Sequence, residues 1–186
     1  MSTRGHRLRR QDQAKRELAG PDCFLAVDPG THLCGWAAFG VEPGEELSAY
    51  GVVLGAPGKS PLERMTNIRE GLMLRLDFFM PGTLVVEAPA GHIAPSLATL
   101  VVELAALARR RRLRFQTYYP ATVTAAVALR GTTGWPAKRR LRAGVEAVYP
   151  GRFGEDVDQD AIDAVAVGLC HLSHLREARI IEERRI

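Results

Sequence analysis

Three cysteines in a chain of 186 residues are too few for a disulfide framework and too scattered for a thiolate metal site. Cys23, Cys34 and Cys170 form no C-x-x-C pair, and each sits in an apolar run. They are expected to be reduced core residues of a cytoplasmic protein. Long apolar runs are lacking too. The longest, Leu97 to Ala108, is interrupted by Glu103 and is too short to span a bilayer, so no membrane partner is expected. No apolar segment follows the basic N-terminus, which argues against a secretory signal, and Asp12 and Glu17 argue against an Arg-rich transit peptide. No internal repeat or second domain is evident.

What remains is the composition of an ordinary globular domain, 46% hydrophobic and 25% charged, long enough for a real core. The distribution of charge says more than its total. Residues 1–20 carry Arg4, Arg7, Arg9, Arg10, Lys15 and Arg16 against Asp12 and Glu17, an excess equal to the whole chain's net charge of +4. Residues 1–21 lack apolar periodicity and read as a disordered basic arm, with residues 22–186 as the folded domain. Two further clusters are Arg109 to Arg112 with Arg114, and Lys138-Arg139-Arg140 with Arg142. Either could bind phosphate. The first fits equally well as a solvated helix C-terminus, where cations complement the dipole.

Carboxylates recur where apolar segments stop. Cys23 to Val27 is a strand-length apolar run that ends in Asp28, and Pro29-Gly30 follow as a turn. A lone acid there is commonly a turn former capping its own backbone. The pattern repeats, however: Leu84-Val85-Val86 ends in Glu87, and Ala88-Pro89 break the run. Asp160-Ala161-Ile162-Asp163 then opens an apolar helical stretch, and the i, i+3 spacing puts both acids on one helix face. Like charges so placed repel unless a cation lies between them.

The segment V-D-P-G-T…G-W from Val27, the V-E-A at Val86 to Ala88, Tyr118-Tyr119-Pro120-Ala121-Thr122-Val123, and D-A-I-D-A-V-A-V-G-L-C-H from Asp160 together resemble the RuvC Holliday junction resolvases in order and spacing over roughly residues 22–175. The resemblance implies an α/β fold, an RNase H-like mixed five-stranded sheet flanked by helices. It also implies a homodimer that binds four-way or branched DNA and resolves it by paired, symmetric phosphodiester hydrolysis. Asp28, Glu87, Asp160 and Asp163 are then the metal-binding catalytic set for two Mg²⁺ ions, with Mn²⁺ able to substitute and Asp28 the bridging ligand. Asp160 stays open between a ligand, a water-positioning base and a helix N-cap. Asp156 and Asp158 are read as solvated loop charges.

Lys138 matches a basic residue of that family and is the candidate cation beside the scissile phosphate; an exposed first-turn lysine is the alternative. The family's other basic residue, one helix earlier, is missing: Ala126 or Val127 stands near it, and Arg130 is the candidate substitute. The aromatic that family members often carry after the Glu87 position is replaced by Ala88-Pro89-Ala90-Gly91-His92, with only an imidazole to stack on a base. Three other readings stand beside junction resolution: a nuclease with broader taste for branched or single-stranded DNA, an enzyme acting on RNA–DNA hybrids, and a catalytically idle DNA-binding module.

The spacing predicts strands at 23–28, 33–40, 47–54, 83–87 and 113–118. It predicts helices from Ser60 as N-cap to Phe79, from Pro95 to about Ala108, over 120–129, from Pro136 to about Val148, and over 159–176. Helix 95–108 is the expected dimer interface.

Overall fold

The computed structural model describes residues 23–40, 47–89, 95–129 and 134–184. The basic arm, the turn at Glu42 to Glu45, His92 and Arg130 lie outside the described residues. Five strands, β1 (Phe24–Asp28), β2 (Leu33–Phe39), β3 (Leu47–Leu54), β4 (Thr83–Glu87) and β5 (Arg114–Tyr118), form one sheet in the order β3-β2-β1-β4-β5. β1 to β3 pair antiparallel, whereas β1 with β4 and β4 with β5 pair parallel. Among the described residues five helices cover it: α1 (Pro61–Phe79), α2 (Pro95–Arg110), α3 (Pro120–Val127), α4 (Ala137–Val148) and α5 (Gln159–Glu183). This is the mixed five-stranded sheet flanked by helices that the sequence predicts.

β1 is the central strand, and Phe24, Leu25, Ala26 and Val27 are all buried because helices cover both of its faces. Successive side chains point to opposite faces. Leu25 and Val27 join the cluster under α1 and α2, while Phe24 and Ala26 join the cluster under α3, α4 and α5. On β4, Val86 falls in the first cluster and Val85 in the second. The same alternation turns Asp28 and Glu87, the last residues of their strands, toward the α5 face.

Local chemistry explains the helix ends. Ser60 and Glu63 form a reciprocal capping box at the start of α1, and Pro61 occupies its first turn. α1 closes on Met80 in the left-handed region, φ 45°, where its N–H bonds Leu76 O. Leu100, Leu104 and Leu107 of α2 are buried in the chain's own core, with Leu97 and Val101 packed against it. That stripe of α2 faces the chain's own core, which leaves to a partner the outward face of the helix, where Val102 is 67% exposed.

α3 stops at Val127, two residues before the expected end, and β5 starts at Arg114 rather than Leu113. α5 differs more, running to Glu183 instead of Arg176. Its apolar periodicity ends near Leu172, but nothing in 173–183 breaks a helix, so it continues as an exposed rod. Among the described residues no helix is long and apolar enough to cross a membrane.

Candidate metal centre

Three elements bring acids to one point. Parallel pairing sets Val27 beside Val86, so Asp28 and Glu87 leave neighbouring strands at the same height. α5 begins above them. One carboxylate oxygen from each of Asp28, Asp160 and Asp163 lies within 4.8 Å of the others. Glu87 stands outside that triangle and is tied to it through Asp28, whose carboxyl donates a hydrogen bond to the Glu87 carboxylate.

The electrostatics follow from crowding in a desolvated place. Burial holds the Asp28 carboxyl well above the usual carboxylate range, and the charges of Glu87, Asp163 and Asp160 push the same way. Glu87 is also raised, chiefly by burial and then by Asp163, with its bond to Asp28 opposing. Asp163 is raised by burial and by Asp160, against the Gln159 bond and Lys138. Without a cation the cluster therefore retains protons that isolated carboxyls would lose.

Gln159 Nε2 donates to Asp163 Oδ1 at 2.7 Å and fixes that carboxylate one turn into the helix. Lys138, in the first turn of α4, brings Nζ to 4.0 Å from Asp163 Oδ2 while its side chain stays 73% exposed. One exposed ammonium at that distance cannot neutralise four carboxyls. The donor set is all oxygen, which suits hard divalent cations. The nearby Cys34 thiol donates weakly to Gly35 O, and burial pushes it up to about 12, so it stays protonated and is no ligand.

Asp160 is not the helix cap. Asp158 occupies that position, without a side-chain capping bond, and Asp160 sits in the first turn facing Asp28 and Asp163. Asp156 and Asp158 are exposed, as expected of loop charges. The cluster at Arg109 to Arg114 lies at the amino end of β4 and β5, away from the acids. There Arg111 pairs with Asp77, and Arg114 Nε donates to Thr83 Oγ1 at 3.1 Å.

Sequence reasoning missed what lets α5 dock. Gly35 pairs with Asp28 across β1 and β2, and a Cβ at Gly35 would sit 1.8 Å from the Asp160 carbonyl oxygen. The absent side chain is what allows the start of α5, and with it Asp160 and Asp163, onto the strand end. The available signal was an isolated glycine inside a strand pattern, which marks close backbone approach. Also missed was His171, buried lower on α5. It shares a hydrogen bond with Tyr118 Oη across 2.9 Å, and burial with the charges of Arg114 and His174 pushes it down to about 4. Tyr118 is the β5 partner of Glu87, so this neutral bond ties the helix to the strand beside the site.

Known proteins bear on this geometry. No family model matches the chain. The crossover junction endodeoxyribonuclease RuvC of Dehalococcoides mccartyi is 30% identical over 167 residues, covering 86% of this chain and 98% of the relative. The enzyme of the same name from Zymomonas mobilis is 30% identical over 164 residues, covering 84% and 93%. Among solved structures, Thermus thermophilus RuvC in complex with a Holliday junction substrate superposes with a TM-score of 0.67 at 21% identity, over 83% of this chain and 95% of that one.

Proposed function

The chain belongs to the RuvC family of crossover junction endodeoxyribonucleases, with the RNase H-like fold, and on that premise we propose that Asp28, Glu87, Asp160 and Asp163 are the centre at which it cuts four-way DNA. The observation that carries this reading is the convergence of three carboxylate oxygens within 4.8 Å, with Glu87 bonded to Asp28, in a cluster that burial and mutual repulsion leave short of positive charge.

The residues fit divalent cations, two Mg²⁺ by the size of the carboxylate set, with Mn²⁺ as a substitute. Asp28 would serve the whole set, since it is bonded to Glu87 and faces the α5 acids. Bound there, the metal supplies Lewis-acid stabilisation of the attacking and leaving oxygens in an in-line displacement at phosphorus. The chain's own residues do the rest. Two strand ends hold Asp28 and Glu87 rigidly, and the hydrogen bond from Gln159 orients Asp163. The proton shared by Asp28 and Glu87 would be given up on binding a cation, whose charge these carboxylates would then balance. Lys138, exposed at the rim, meets a phosphate oxygen and offsets the charge that develops on it.

Two symmetric cuts across a junction require two such centres, hence a homodimer with two-fold symmetry. Residues 22–186 form the nuclease domain. The basic arm at 1–21 contacts phosphates and adds affinity without selectivity. Removing residues 1–20 should weaken junction and duplex binding alike and flatten the salt dependence.

The test is cleavage of labelled four-way junction, flap, duplex and RNA–DNA hybrid, with and without Mg²⁺. Paired symmetric cuts in the junction that require the metal are expected. Preferred cleavage of the hybrid or of plain duplex would overturn the reading.

A further inference from the structure

Just before α4, the helix whose Lys138 reaches toward Asp163, stands an aromatic ring that the core does not use. Trp135 is 40% exposed and belongs to neither hydrophobic cluster, unlike Trp36, which is buried against Phe79. Pro136 follows it at the N-cap of α4, and a residue before a proline is restricted away from the helical region. Arg139, one turn into the helix, lays its guanidinium 4.3 Å from the indole centroid, covering one face of the ring with a cation.

Its position supplies the ligand. Lys138, next to Arg139, reaches toward Asp163, and Trp135 precedes it by three residues at the same end of α4. Three residues of chain place Trp135 within about 11 Å of Lys138. A nucleic-acid strand advances about 3.4 Å per nucleotide. A base within about three nucleotides of a phosphate at Lys138 is therefore in reach of the ring. A second exposed ring, Tyr119, stands at this end of the sheet, one strand beyond Glu87 and also before a proline.

We infer that Trp135, backed by Arg139, is a stacking platform for an unpaired nucleobase beside the cleaved phosphate. The inference rests on the acidic cluster being the cleavage centre of a branched-DNA enzyme. Bases in continuous duplex already stack on their neighbours and offer no free face. The ring therefore recognises the splayed bases at a branch, while Lys138 and the carboxylates engage the backbone.

Binding in metal-free buffer tests this without asking for cleavage. The full chain, Trp135→Ala, Trp135→Phe and Phe78→Ala are titrated with a four-way junction and with continuous duplex. Phe78, 41% exposed at the end of α1, is the control ring. Trp135→Ala should weaken junction binding by about 5- to 150-fold. Trp135→Phe should keep most of the affinity, and Phe78→Ala all of it. Duplex binding should not change. Tryptophan emission of the unaltered chain should be quenched by the junction, because the only other tryptophan is buried. Equal junction affinity for Trp135→Ala and the unaltered chain, an equal loss on duplex, or unchanged emission at saturating junction would each overturn the platform. A chain that binds the junction through Trp135 but never cuts it would support the platform and sink the cleavage reading instead.

Discussion

The two faces of the sheet are covered in different ways. Under α1 and α2 the contact is made by long side chains: Met65, Ile68, Leu72, Leu76 and Phe79 from one helix, Leu100, Leu104 and Leu107 from the other. Under α5 large side chains such as Ile162, Val165, Val167 and Leu172 are buried too, but the closest approach is made by small ones, where Ala164 and Gly168 let the helix backbone settle on the strands. A Cβ on Gly168 would lie 2.0 Å from the Phe39 ring, just as one on Gly35 would strike Asp160. The first face is a thick apolar layer whose free energy comes from area removed from water. On the second, close approach places carboxylates, and Asp28, Glu87 and Asp163 are held above their usual range. The contrast separates residues that keep the chain folded from residues that set distances.

The largest effects should come from the acids. Asp28→Asn and Glu87→Gln should each abolish Mg²⁺-dependent junction cleavage while leaving junction binding intact or tighter, since binding comes from the basic surface. Cleavage at the unaltered rate in either variant would remove that residue from the centre. Lys138→Ala comes next, with a loss of about 10²–10³ in single-turnover rate if it meets the transition state. An unchanged rate at saturating protein would assign Lys138 to the binding surface.

Gly35→Ala and Leu104→Ala set the faces against each other. The first should lift the start of α5 and cost on the order of 10²-fold in cleavage, because a misplacement of about 1 Å is enough. The second should cost about 2–5 kcal/mol of stability in denaturant titration and leave the rate below its melting point unaltered. Equal stability losses with equal rates would erase the distinction between the faces.

The smallest effect concerns pH. Raised carboxyl pKa values mean that the folded, metal-free chain binds more protons than the unfolded one above the ordinary carboxylate range. That contribution to stability is complete below the ordinary values and is lost as pH rises through the raised ones. Metal-free Tm should therefore fall with rising pH in that window, and Mg²⁺ should raise Tm more at the upper end than at the lower. A Mg²⁺ response independent of pH would argue that the cluster is not where the ion binds.

Much of this was legible in the sequence. Short apolar runs ending in Asp28 and Glu87, with Pro and Gly beyond them, delimit β1 and β4 almost to the residue. Ser60, Pro61 and Glu63 announce the start of α1 through local chemistry alone. The pairing of Asp160 and Asp163 on one helix face could be read from their spacing. What could not be read depends on distant contacts. Gly35 looks like a weak strand residue until a helix from more than a hundred residues later lies on it. The apolar stripe of α2 is equally suited to a partner or to the chain's own core, and only the fold decides. By sequence Asp160 is open to a capping role and Asp158 reads as a loop charge, and it is where the loop from Pro150 turns into α5 that makes Asp158 the N-cap.

The register of β1 against β4 has a mechanical consequence. Hydrogen-bonded strands lie about 4.8 Å apart whatever their side chains, so the spacing between the roots of Asp28 and Glu87 is fixed by peptide geometry. No substitution within those strands that keeps the ladder can tune it. Across this ruler the adjustable jaw is α5, which carries two acids and seats its first turn on Gly35. Tolerance at the centre is therefore one-sided. Drift in the helix seat is felt at once by Asp160 and Asp163, whereas Asp28 and Glu87 keep their gauge until the sheet itself opens.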